Sequence, residues 1–240
     1  MRKLTPALVA ITAATAATIA AVPADAAAKK YPGQGKCPKG GYQLCINGGP
    51  GNFTIKGKRF SGKPNAILLR NVSNVTISGN TFTGLKGSTG YAGVHIKNST
   101  GIVVKNNKFT RLSNVGHMHG VYVVKSSRVT ITGNTFSRIT GDAVRLRDGV
   151  TKTLVSGNTI TTSGQYAIVS EWGYIDSGEE TCGKGNVVKK NKYSVKGNDG
   201  QRIALIEWGG WGGKTRPHKK VTFGHCKKPS ITNGGGNKKI

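Results

Sequence analysis

Short runs in which aliphatic and polar residues alternate recur along the chain, and five of them close on an asparagine. NVTISGN, GIVVKNN, RVTITGN, KTLVSGN and NVVKKN end at Asn80, Asn107, Asn134, Asn158 and Asn191. Three places before each asparagine stands an aliphatic residue: Ile77, Val104, Ile131, Val155 and Val188. Two places after it comes Phe82, Phe109, Phe136, Ile160 or Tyr193. The asparagines are spaced 27, 27, 24 and 33 residues apart, a period that belongs to stacked repeats. Alternation with period two, β-branched residues and Gly/Asn/Ser punctuation predict strands and turns, not helices.

A second ladder keeps step with the first: AILLRN (66–71), GVHIKN (93–98), GVYVVK (120–125), AVRLRD (143–148), AIVSEW (167–172) and IALIEW (203–208). Two strands per repeat predict a coil whose successive turns pair in parallel. One turn cannot bury its own apolar face, whereas a stack shares a continuous core. A degenerate copy, NFTIKGKRFSG (52–62), is expected to open the stack, giving about six coils.

With these repeated V-x-I-x-x-N-x-F units, the chain resembles the right-handed parallel β-helix proteins of the pectate-lyase-like superfamily, the carbohydrate-binding and sugar-hydrolase type, over roughly residues 50–226. The resemblance implies an all-β, single-stranded right-handed parallel β-helix. It specifies architecture more than reaction, since one fold hosts many chemistries.

Residues 1–26 read as a secretory signal: Arg2 and Lys3 precede an Ala/Ile/Thr/Val run, and Ala24-Asp25-Ala26 offers a small-x-small cleavage site. An extracellular protein and an oxidising compartment are therefore expected, with no membrane span. Four cysteines suit disulfides. Cys37–Cys45 would clip a cap segment, 27–49, and Cys182–Cys226 would tie an insertion to the end of the helix. A basic tail, 227–240, follows.

Charge narrows the partner. The chain holds 36 Lys and Arg against 9 Asp and Glu; without Arg2, Lys3 and Asp25 the balance is 34 to 8. Eight of the last 27 residues are basic and none is acidic. Such an excess concentrates anions at the surface. Few aromatics and no nucleic-acid motif argue against nucleic acid. An acidic polysaccharide fits charge, compartment and fold, and a monomer is expected.

Alternate strand residues face opposite ways. With Val94, Val121, Val144, Ile168 and Ala204 facing in, one outward column reads Leu68, His95, Tyr122, Arg145, Val169, Leu205. The next reads Arg70, Lys97, Val124, Arg147, Glu171, Glu207. His119 and Asp142 occupy equivalent places at the start of consecutive strands. These groups suit β-elimination on a uronate polymer. Arg145 is expected to bind the carboxylate with Arg147, the guanidinium fork matching its shape. His119, oriented by Asp142, or His95 would serve as base, Tyr122 as acid or, if neighbouring cations lower its pKa, as base, and Lys97 as neutraliser or base. The resemblance implies Lys or Arg as base, often with Ca²⁺ neutralising the carboxylate.

Two competing readings use the same residues. A glycoside hydrolase would need paired carboxylates, for which Glu171 and Glu207 are the candidates. A non-catalytic polyanion-binding surface protein would need only the basic face. Ca²⁺ would draw on Asp142, Glu171 and Glu207, while His117-x-His119 suggests a metal pair without an obvious third ligand. In WGGWGG, Trp211 is the indole best placed to stack on sugar.

Overall fold

The computed structural model describes residues 31–88, 91–114, 118–164, 167–174, 182–211 and 230–240, without the side chains of 172–174 and 208–211. Its strands, β1–β21 in chain order, form three sheets of seven. Sheet 1 holds β1 (Leu44–Asn47), β4 (Ile67–Arg70), β7 (Ala92–Lys97), β10 (His119–Val124), β13 (Val144–Arg147), β16 (Ala167–Tyr174) and β19 (Ala204–Trp211). Sheet 2 holds β2 (Phe53–Lys56), β5 (Val75–Ser78), β8 (Val103–Lys105), β11 (Thr130–Thr132), β14 (Leu154–Ser156), β17 (Asn186–Lys189) and β20 (Ile231–Asn233). Sheet 3 holds β3 (Arg59–Phe60), β6 (Thr81–Thr83), β9 (Lys108–Leu112), β12 (Thr135–Ile139), β15 (Thr159–Ser163), β18 (Lys192–Tyr193) and β21 (Lys238–Lys239). The chain visits the three sheets in turn, and each strand pairs in parallel with its equivalent one coil away.

Each coil thus has three strands where two were expected, and the described residues form seven coils instead of about six. The missed strands are those of sheet 3. Several run only two or three residues, such as β6, too short to show an alternating pattern. They begin just after the ladder asparagines, so Phe82, Phe109 and Phe136 are their inward residues. The stack also extends past 50–226 at both ends. β1 lies within the expected cap, and β20 and β21 lie within the expected tail.

The asparagines explain why the coils register. Asn107 donates its backbone N–H (2.9 Å) and its side-chain amide (3.0 Å) to Oδ1 of Asn134, and that same amide reaches the Ile77 carbonyl at 2.9 Å. The pattern runs from Asn80 through Asn191 and on to a sixth member, Asn237. Buried amides at a sharp bend must find partners, and each asparagine supplies them to the next coil. The residue before each rung takes a left-handed backbone, as at Gly79, Asn106, Gly133, Gly157 and Lys190. Beneath the bend the rings of Phe60, Phe82, Phe109 and Phe136 stack with centroids 5.1, 4.5 and 4.8 Å apart. Aliphatic residues from all three sheets complete one continuous core.

Cys37–Cys45 forms a disulfide, closing the loop that leads into β1. Cys182 is disulfide-bonded too, but the expected Cys182–Cys226 pair ends on a residue outside those described. The leader, 1–26, also lies outside them. Among the described residues no helix is long and apolar enough to cross a membrane.

Candidate functional site

The outer face of sheet 1 is where chemically capable side chains collect. Parallel pairing aligns Leu68, His95, Tyr122 and Arg145 across β4, β7, β10 and β13, as the alternation predicts. Beside them run Arg70, Lys97, Val124 and Arg147. One coil further the register departs from expectation. Val144 pairs with Val169 instead of Ile168, so Arg145 meets Ser170 and Ser170 meets Glu207. The one-residue slip reverses the side chains of β16, and a second, which sets Val169 against Ile206 instead of Leu205, turns β19 back.

That reversal removes Glu171 from the expected groove. It pairs with Leu146, is buried, and bonds to Ser230 and Asn186 inside the coil. Its neighbour in β19 is Trp208, not Glu207. Glu171 and Glu207 therefore face opposite sides of sheet 1 and cannot flank one glycosidic bond, which removes the hydrolase pair. The slip is held by Asp142, whose carboxylate accepts the Ser170 hydroxyl and, at 3.3 Å, the Ala167 N–H.

Asp142 serves Arg145 more than His119. Arg145 donates Nη2 at 2.8 Å and Nε at 3.2 Å to Asp142 Oδ2, and Nε also reaches Ser170 Oγ at 3.2 Å. Both residues are buried. Burial alone would raise the Asp142 carboxyl, but Arg145, then His119 and Ser170, outweigh it and hold it below its ordinary value. Arg145 is a pinned cation that contributes field, and its fork is already occupied. His119 accepts the Asp142 backbone N–H at Nδ1, 3.0 Å away. In the neutral ring the proton then sits on Nε2, so the expected His119 base, oriented by the Asp142 carboxylate, is not what this hydrogen bond builds.

His119 shares the outer side with Tyr122, their rings 5.5 Å apart, although they stand three positions apart in the strand. Both Gly120 and Val121 face inward. A Cβ on Gly120 would lie 2.7 Å from the Phe136 ring, and Val121 belongs to the core. Two consecutive inward residues shift the alternation by one.

His95 and Tyr122 form the centre, with ring centroids 4.9 Å apart. The Tyr122 hydroxyl accepts Arg147 Nη1 at 2.8 Å, and Arg147 also pairs with Asp148 at 3.1 Å. Burial raises the Tyr122 phenol despite Arg147, so it stays protonated. Burial, followed by Lys97, Arg70 and Arg147, lowers His95 to about 3, so it stays neutral. Its Nδ1 bonds the Tyr42 hydroxyl at 2.6 Å, and its Nε2 has no partner among the described residues. Burial, then Asp142, pushes Glu207 up to about 7, and its Oε2 too is unpartnered among the described residues.

Sequence reasoning missed Tyr42, Tyr91 and Ser170. Tyr42 comes from the loop closed by Cys37–Cys45, and its phenol is raised by burial and by Tyr91 and Tyr122. Tyr91, 53% exposed, stacks on Tyr122 at 6.3 Å. Buried Asn65 holds both segments. It donates to the Gly40 carbonyl at 2.6 Å and accepts the N–H groups of Tyr91 (2.6 Å) and Ala92 (2.9 Å). A Tyr immediately after Gly40-Gly41, inside a short cystine loop, was the available signal.

The expected Ca²⁺ ligands do not assemble, because Glu171 is interior and Asp142 is committed to Arg145. Among the described residues no three His, Cys, Asp or Glu side chains are placed to hold a metal ion. His117 lies outside the described residues. Trp211 is the last residue of β19, not part of a loop, and its side chain is not described.

Comparison with known proteins agrees with this architecture. A family model described as the right handed beta helix region matches residues 40–207. No curated protein matches the sequence. Among solved structures, an alginate lyase from Paenibacillus sp. str. FPU-7 superposes with a TM-score of 0.56 at 16% identity, covering 84% of this chain and 73% of that one. An identity so low speaks to the fold. With three parallel sheets in register and the matched model spanning most of the coils, this chain belongs to the right-handed β-helix family.

Proposed function

We propose that the protein is an exported lyase that cleaves an acidic, uronate-containing polysaccharide by β-elimination on the outer face of sheet 1. The observation that carries this reading is the His95–Tyr122 pair, neutral imidazole beside protonated phenol, set among Arg70, Lys97 and Arg147. The alginate lyase neighbour and the basic composition support it.

In the proposed reaction Lys97 and Arg147 neutralise the C6 carboxylate, which acidifies the C5 proton. His95 accepts that proton at Nε2, with Nδ1–H donated to the Tyr42 oxygen. The C5 electron pair forms the C4–C5 double bond as the C4–O bond breaks. Tyr122 gives its proton to the leaving oxygen, and Arg147 stabilises the phenolate left behind. Burial is the larger cause of the His95 depression, and the rest comes from Lys97, Arg70 and Arg147, so a substrate carboxylate among them offsets that second part as it binds. Tyr91, half exposed over the pair, yields its place to the sugar. Arg145 supplies positive field while Asp142 and Ser170 hold it.

Incubating the chain lacking residues 1–26 with a panel of uronate polymers tests the reading. A rise in ultraviolet absorbance matched by new reducing ends is expected. Reducing ends without absorbance would mean hydrolysis, and retention without either would mean a binding protein; both outcomes reject the lyase.

A further inference from the structure

The distribution of charge around the coil is more uneven than its total. From residue 31 to residue 141 there are fifteen Lys and Arg and no Asp or Glu. The strands of sheets 2 and 3 contain no acid from β2 to β21. Asp142, Glu171 and Glu207 all belong to sheet 1 or its entry turn, and Asp148 directly follows β13.

On the two acid-free sheets the cations are ordered. In sheet 2 one outward column reads Lys56, Ser78, Lys105, Thr132, Ser156, Lys189. In sheet 3 the matching column reads Arg59, Thr81, Lys108, Thr135, Thr159, Lys192 and ends on Lys238. Over the first six coils both follow the same sequence along the stack: cation, hydroxyl, cation, two hydroxyls, cation. Each cation in sheet 2 therefore has its counterpart in the same coil, just across the bend that carries the asparagine ladder. Lys56, Arg59, Lys105, Lys108 and Lys192 are exposed. None of the cations in the two columns forms an ion pair among the described residues.

We infer that this bend is a second, non-catalytic binding surface for a linear polycarboxylate laid along the axis of the stack. At about 4.8 Å per coil, paired cations recur at about 10 Å and then about 14 Å, and only Ser and Thr fill the coils between. A polymer with a carboxylate on every sugar meets each cation pair without strict register, and its hydroxyls meet the Ser and Thr rows. Like charges held together in folded register cost stability unless a polyanion neutralises them. The outward columns carry no aromatic residue, so single-stranded nucleic acid finds no stacking platform. The choice of a uronan as polymer rests on the proposed lyase reading; the binding surface does not need turnover.

Affinity electrophoresis of the chain lacking residues 1–26 through gels containing soluble polyuronate tests the inference. A variant carrying Lys56→Gln, Arg59→Gln, Lys105→Gln and Lys108→Gln is expected to bind at least about tenfold more weakly, with a shallower salt dependence. Arg128→Gln with Lys152→Gln, in-register exposed cations at the bend between sheets 1 and 2, serves as control and is expected to bind like wild type. Circular dichroism confirms that each variant folds. Undiminished binding by the quadruple variant overturns the inference, as does a loss in the control equal to it per charge removed. Equal or tighter retention in gels containing a single-stranded oligonucleotide overturns it too. Because retention is read without cleavage, the surface survives a failed lyase assay, and the lyase survives a failed retention assay.

Discussion

Asn134 shows what one side chain does in this architecture. It accepts two hydrogen bonds from Asn107 and donates to Asn158 and to the Val104 carbonyl, all within the core. Asn134→Ala leaves the Asn107 backbone N–H unmatched and takes one donor from the Val104 carbonyl, and should cost roughly 3 kcal/mol in denaturant unfolding. Glu171 lies at the opposite extreme, a buried carboxyl pushed up to about 7 by desolvation despite its bonds to Ser230 and Asn186. Between the ordinary carboxylate range and about pH 7 the folded protein holds a proton there that the unfolded chain has lost. Stability from this site therefore falls as pH rises through that window and is level above it. His95 acts in the other direction: its neutral folded form favours folding above the ordinary imidazole value, and that advantage is lost as pH falls toward about 3. Comparing Glu171→Gln with wild type isolates the first effect. The variant's melting temperature should gain on wild type from about pH 5 to about pH 8; a constant difference would show that Glu171 does not titrate there.

Strand β10 links packing to the site. Its inward Gly120 lets His119 and Tyr122 share one face, and an added methyl would come within 2.6 Å of the Ala143 carbonyl and 2.7 Å of the Phe136 ring. The equivalent Gly93 in β7 has more room, with its nearest neighbours at 3.0 Å. Gly120→Ala should lower the melting temperature more than Gly93→Ala, by an overpacking cost of about 2 kcal/mol; equal effects would mean that the core yields easily at both places. Sheet 1 was legible because four to eight residues suffice to show alternation, and the β7–β10–β13 register followed from it. Sheet 3 was not, since two residues such as β18 carry no period. The slip after β13 was also illegible. AIVSEW aligns with AVRLRD by its alanines, yet Ala167 answers to Asp142 because that carboxylate takes its N–H and the Ser170 hydroxyl. A tertiary hydrogen bond chose the register, and local pattern does not record it.

Across the whole molecule, the repeat made the fold readable and the site only partly so. His95, Lys97, Tyr122, Arg145 and Arg147 share the face that their strands predicted. Tyr42 arrives from outside the repeat, on a loop fixed by Cys37–Cys45 and Asn65, where no periodicity points to it. Its bond to His95 makes it a positioning residue. Tyr42→Phe should lower kcat and alter its pH dependence, with KM little changed, because the imidazole loses the partner that sets its tautomer. Charge completes the picture at this scale: the acids lie on or beside sheet 1 among the described strands, and the cations of sheets 2 and 3 stand without them. The central assignment is tested most directly by the rate at which unsaturated ends form on a uronate polymer, measured for wild type beside Tyr122→Phe. Turnover by wild type with a loss of about a hundredfold or more in folded Tyr122→Phe is the expected result; an undiminished rate in that variant would contradict it.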